Sequence, residues 1–149
     1  MDLLSLDTAK AANEGRRLVV KHPTKGVPVT NPEADNAEVA ITLLGRDSDV
    51  FLRAEAKARN DNIERLREGR AFTAEEIDLA DSANLASLIT GWENIPAAWV
   101  DGSKSTKPIE FSRENAVKLL RNKGVSWLYA QIDRFVGRRD AFLEPQPKT

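Results

Sequence analysis

Between Val125 and Leu143 apolar side chains recur at steps of three and four, at Leu128, Ile132, Phe135 and Phe142. Tyr129, Val136 and Leu143 widen the same stripe. That spacing predicts one amphipathic helix over residues 125–143, because positions three and four apart share a helix face. Ser126 is its predicted N-cap, with a hydroxyl able to accept from a backbone N–H one turn on. None of these side chains is a catalyst. The stripe needs an apolar surface to pack on, supplied by this chain or by another protein, and the rest of the sequence is read with that need in view.

The chain changes texture twice before it reaches that helix. One or two helical turns are expected before residue 16. Arg17–Lys21 is short and β-branched, His22–Gly26 carries Pro and Gly at turn positions, and Val27–Val29 suits the returning arm of a hairpin. Pro28 confines that arm to an edge. After a polar loop over residues 31–36, Val39–Leu44 is the best strand in the chain, which predicts a small antiparallel sheet of two or three strands. Gly45 ends it, and Asp47 or Ser48 caps a helix running to about Arg67, with Gly69 as its stop. The stripe of that helix, Leu52, Ala56, Ile63 and Leu66, is interrupted by Arg59 and predicts a helix covering a core on one side. Thr73 and Glu76 form a capping box, flanked by Phe72 and Ile77 as a hydrophobic staple. The helix they open is expected to continue through Leu85, Leu88 and Ile89 to Gly91 and Trp92. Residues 95–108 read as the longest loop, turning at Asp101–Gly102. Ser112 then caps a helix through Leu119 and Leu120, stopped at residues 122–124. The predicted class is α+β, mainly α: one domain over 1–149, with a β-containing part at 1–45, about four helices over 46–143, and a flexible polar tail at 144–149.

Composition narrows the chemistry. An apolar fraction of 41% and a charged fraction of 30% suit a globular protein, and the net charge of −1 lacks the basic surplus that nucleic-acid binding needs. The absence of cysteine excludes disulfides, thiol catalysis and thiolate zinc sites. No stretch approaches the ~20 apolar residues of a membrane span, and the first residues do not resemble a leader peptide, so a cytosolic protein is expected. The charge is uneven: net +2 over residues 1–32, −7 over 33–100 and +4 over 101–149. Opposite charges of this kind are either solvated faces or an attraction within one chain or between copies, as in a homo-oligomer. His22 reads as a turn residue, and Glu75, Glu76, Asp78 and Asp81 as an exposed helix start, where carboxylates favour the dipole. No phosphate-binding glycine loop, serine elbow or other cofactor motif occurs. Trp92, Trp99, Trp127 and Tyr129 are not interleaved with basic residues and read as packing rather than base stacking. Arg139 lies on the last helix's stripe, either snorkelling at the core edge or ion-pairing with an acidic partner.

Several short motifs carry a resemblance. Gly91-Trp92 leading to Ile95, an Asp-Gly turn, Pro108 to Ser112, Glu114 to Ala116 and Leu119-Leu120 come first. Trp127-Leu128, Gln131-Ile132, Phe135, Arg139 and Phe142-Leu143 follow, with Leu44–Ser48 upstream. In order and spacing they resemble the tail assembly chaperones of long-tailed, lambda-like bacteriophages, over residues 40–143. The resemblance implies a Gly-Trp helix end, a Ser-capped helix and a final helix with Trp near its start. It implies a non-enzymatic protein of the infected host's cytoplasm, absent from the mature virion, which binds the tape measure protein and aids tail tube assembly by recruiting the tail tube protein. Trp99, Trp127, Arg139 and Phe142 are the residues expected in or beneath the partner-binding surface, Trp127 and Phe142 more as core. The rival readings are a structural tail or head–tail joining protein that stays in the particle, and a small enzyme or regulator.

Overall fold

The computed structural model describes residues 3–143. The polar tail expected at 144–149 lies outside the described residues. A 3-10 turn at Leu3–Leu6 leads into α1 (Thr8–Glu14), capped by Asp7, whose carboxylate accepts from Lys10 N at 2.9 Å. β1 (Arg16–Val19), β4 (Ala40–Leu43) and β5 (Ile89–Glu93) form an antiparallel sheet in the order β1-β4-β5, and β2 (Thr30–Asn31) pairs separately with β3 (Ala37–Glu38). α2 (Asp49–Arg67) and α3 (Ala74–Ala86) follow β4. After β5 come the short α4 (Ala97–Asp101), then α5 (Arg113–Arg121), a 3-10 turn at Lys123–Val125, α6 (Ser126–Val136) and α7 (Arg139–Leu143). The described chain is 56% helical, which makes the class α+β with helix dominant, as the sequence predicts.

β4 is central because its Ile41 and Leu43 are fully buried, with Ala40 beside them. Its neighbours pair from Arg16↔Leu43 to Val19↔Ala40 on one side and from Ala40↔Glu93 to Leu43↔Ile89 on the other, with an irregularity at Thr42/Leu43. The third strand thus comes from far along the chain. Residues 89–93 were expected to end a helix, but α3 stops at Ala86, with Ser87 at its C-cap and Leu88 leading into the strand. A β-branched pair, Ile89-Thr90, followed by Trp92 suits a pleated surface better than a helix end. Gly91-Trp92 is therefore part of a strand, and the sheet reaches beyond the N-terminal part expected to hold it. The hairpin arm at 27–29 is reduced to a bridge between Lys21 and Pro28, and β1 takes β4 as its main partner.

One apolar cluster joins Val20, Ile41 and Leu43 of the sheet region to Leu85 and Leu88 near α3, to Leu119 in α5, and to Leu128 and Ile132 in α6. Ser112 caps α5, its hydroxyl accepting from Asn115 N at 3.0 Å, as expected. Ser126 does not cap α6. It lies inside the helix, and the 3-10 turn just before it brings the chain in, with Asn122 accepting from Gly124 N at 2.9 Å. The final helix is also not continuous. Gly137 ends α6, and the chain bends so that Phe142 meets Phe135 with ring centroids 5.2 Å apart. Phe142 packs over Gly45, where an added Cβ would lie 2.9 Å from the Ala12 Cβ.

Candidate interaction surfaces

Of the four residues predicted at a partner surface, two lie at each end of α6, which is about 16 Å long. Trp99 in α4 and Trp127 at the start of α6 are half-buried and meet edge to face, with centroids 5.5 Å apart and planes at 88°. Asn122 fastens this corner by donating to the Trp99 carbonyl at 2.9 Å. At the other end Phe142 is buried, only 2% exposed. Arg139 is exposed and held by its own chain: Nε lies 2.7 Å from Asp47 Oδ2 and Nη2 3.0 Å from Oδ1. The Arg139 hydrogen bond holds the Asp47 carboxyl below its ordinary range, against a smaller opposing effect of burial. Arg139 is thus neither a snorkelling core-edge residue nor a free cation awaiting a partner; Asp47 supplies its carboxylate. The four side chains do not form one surface.

The larger apolar surface lies on the α2–α3 hairpin. Ser48, fully buried, caps α2 by accepting from Phe51 N at 3.3 Å, and Val50 and Phe51 pack on the core. Beyond that first turn nothing anchors the helix in the interior: none of its 19 residues is buried. Leu52, Ile63 and Leu66 are exposed by 52%, 51% and 65%, so the stripe expected to cover a core faces outward instead. With Ala56 and Arg59 these positions follow the alternating three–four spacing of a helix-pairing seam. The opposite face turns toward α3. There Arg65 ion-pairs with Glu76 and stacks over the Phe72 ring at 4.1 Å, clamping the end of the hairpin. The Thr73–Glu76 capping box forms as expected, and Ile77 and Leu79 add further exposed apolar surface on α3.

A third feature is an open cleft of about 480 Å³ between the turn after β1 and α6, with Leu18, Trp127 and Phe135 as apolar lining. Lys21, Arg134 and Arg138 also line it, and no carboxylate does. His22 plays the expected turn role. Its Nδ1 accepts from Thr24 N at 3.2 Å and Lys25 N at 3.1 Å. Gln131 spans the cleft with two bonds to one residue, accepting from Lys21 N at 3.0 Å and donating to Lys21 O at 2.6 Å. In the sequence Gln131 stands out only as part of the Gln131-Ile132 motif, and nothing there ties it to Lys21, 110 positions away.

Smaller hollows lie elsewhere on the surface. One, near Tyr129, holds Glu55, Asp81 and Asp133, with Arg46 bonded to Asp133. Burial, aided by the charge of Asp81, pushes the Tyr129 hydroxyl above its ordinary value. Among the described residues no three His, Asp or Glu side chains are grouped to hold a metal ion, and no helix is long and apolar enough to cross a membrane. Trp92 is occupied structurally: its indole N–H donates to Ile109 O at 2.8 Å and its ring meets Phe111 edge to face. Comparison with protein-family models, curated proteins and solved structures finds no match.

Proposed function

We propose that the protein is a non-enzymatic tail assembly chaperone of a long-tailed bacteriophage or prophage. On this reading it works in the host cytoplasm, shields a long helical tape measure protein, helps recruit tail tube protein, and is left out of the finished particle. The observation that carries the reading is the outward stripe of α2. A helix that buries none of its own residues, yet shows Leu52, Ile63 and Leu66 at helix-pairing spacing, suits reversible capture of another apolar helix. The motif resemblance over residues 40–143 supplies the identity of that client, and the stripe supplies a means of holding it. In this reading the client contacts α2 and α3, while Phe142 serves as core and Arg139 secures α7.

Co-expression with the tape measure protein tests it. The chain should co-purify with that protein and keep it soluble, and replacing Leu52, Ile63 and Leu66 together by Ser should abolish both effects while the circular dichroism spectrum stays unchanged. Retention of capture by the triple variant would remove α2 from the account. Mass spectrometry of purified particles separates the chaperone from a structural tail or joining protein, since only the latter would be found there.

A further inference from the structure

Among the described residues β1 is an edge strand, with β4 on one side and no strand on the other. Antiparallel pairing alternates between residues that exchange hydrogen bonds and residues that do not. The bond from Val20 N to Val39 O at 2.9 Å fixes the phase. Leu18 and Arg16 direct their backbone groups at β4, Val20 directs its own at Val39 and Val29, and Arg17, Val19 and Lys21 direct theirs outward. The outward groups of Lys21 are both taken by the Gln131 carboxamide, which bonds N–H and C=O of one residue as a neighbouring strand would. Those of Arg17 and Val19 have no hydrogen-bond partner among the described residues. The edge is therefore closed at one end by a strand-like side chain and open at two consecutive pairing positions.

The ground beside this edge has a definite chemistry. Leu18, Trp127 and Phe135 give it an apolar flank, and its charged lining is Lys21, Arg134 and Arg138, the last of them paired with Asp140. The Lys21 ammonium and the Arg134 guanidinium have no carboxylate partner among the described residues. We propose that β1 and the adjoining Lys21/Arg134 cleft form a docking site for an extended acidic segment of a partner protein, added as a strand to the open edge. Main-chain pairing at Arg17 and Val19 supplies the hydrogen bonds. Acidic side chains answer Lys21 and Arg134, and alternate apolar ones lie against the aromatic flank. A single-stranded nucleic acid fits less well: Trp127 is engaged edge to face with Trp99 and Phe135 with Phe142, which leaves no open platform for bases. The inference stands apart from the chaperone reading, which uses α2 and α3, so either can fail without the other.

Fluorescence anisotropy with the full chain and a labelled peptide of alternating glutamate and valine tests the site. Saturable binding that weakens with added salt is expected. Methylating alternate peptide nitrogens should weaken binding by about tenfold in one phase and little in the other, since only one set of amides faces the edge. Val19→Pro, which removes an outward donor and leaves the β4 bonds intact, should weaken binding similarly. Lys21→Glu combined with Arg134→Glu should shift preference to a control peptide of alternating lysine and valine. No saturable binding, equal effects of the two methylation phases, equal binding of the lysine–valine peptide to the unaltered chain, or displacement by oligothymidine would each overturn the proposal. The methylation arm changes only the peptide, so it reads the site even if a variant chain fails to fold.

Discussion

The α2–α3 hairpin and the α5–α6 pair are built by the same local rules, yet α2, unlike α3 and the later pair, is left without a buried residue. Each has a side-chain cap, Ser48 and Thr73 in the first and Ser112 in the second, and each carries apolar residues at helical spacing. Yet α5 and α6 bury Ala116, Leu119, Leu120, Leu128, Ile132 and Val136, while α2 buries nothing. Periodicity tells which face of a helix is apolar. It is silent on whether the chain has anything to lay against that face. In α5–α6 the answer is the sheet and α3; along α2 past its first turn, Leu52, Ile63 and Leu66 stay open to solvent.

Core truncation draws the comparison most sharply. Ile132 is fully buried in the cluster that joins sheet and helices, so Ile132→Ala should lower unfolding free energy by about 3 kcal/mol, through lost transfer energy and the cavity left behind. Leu66→Ala, at a side chain 65% exposed, should stay within about 0.5 kcal/mol. Urea midpoints of the two variants measure the difference. Comparable losses would mean that α2 packs in solution in a way its exposure denies, and the division between the two regions would fall.

Gly45 tests the other direction, overfilling instead of emptying. It sits where β4 hands over to α2, so it belongs to both regions. An alanine methyl there would press on Ala12 at 2.9 Å and meet the Phe142 ring at 3.4 Å. Gly45→Ala should therefore cost about 2 kcal/mol and loosen α7, which thermal melts and hydrogen exchange at residues 139–143 would detect. The caps come next in size. Thr73→Ala and Ser112→Ala should each cost about 1 kcal/mol, because each removes an acceptor for a helix-start N–H. Equal costs in the two regions would confirm that capping is local and indifferent to what the helix later buries.

Those caps were the most legible part of the fold: the cap acts within four residues, and so does the reading. β4 was legible for a related reason, since a run buried in the sheet's middle is apolar over its whole length. Two boundaries were misread because apolar spacing continued across them. Leu85, Leu88 and Ile89 keep a helical step while the backbone changes from helix to strand, and the switch depends on β4, which lies some 46 residues away in sequence at the Leu43↔Ile89 pair. Phe135 and Phe142 stand two turns apart on paper, and the bend at Gly137 brings their rings into contact instead. Of the four predicted surface residues, Phe142 was legible as core, while the Asp47 partner of Arg139 was not. Nothing in a sequence pairs charges 92 positions apart.

That pair supports the smallest effect, and one that bears on where the two regions join. Asp47 precedes the α2 cap and Arg139 opens α7, so the bond ties the base of the exposed hairpin to the end of the buried pair. The folded-state pKa of Asp47 is depressed, chiefly by the Arg139 hydrogen bond. Its contribution to stability is therefore fully present above the carboxyl's unfolded pKa of about 3.9, and it is lost as pH falls through the lower folded value. Arg139 is 70% exposed, so solvent and salt keep the contribution small. An NMR titration of the Asp47 carboxyl should give a midpoint below that of an unpaired aspartate, and Arg139→Gln should move it back up. Asp47→Asn should then remove that part of the acid sensitivity of α7 protection while leaving α2 exchange unchanged. If instead the hairpin loosened with α7, the two regions would be one cooperative unit, and their different burial would no longer mark separate roles.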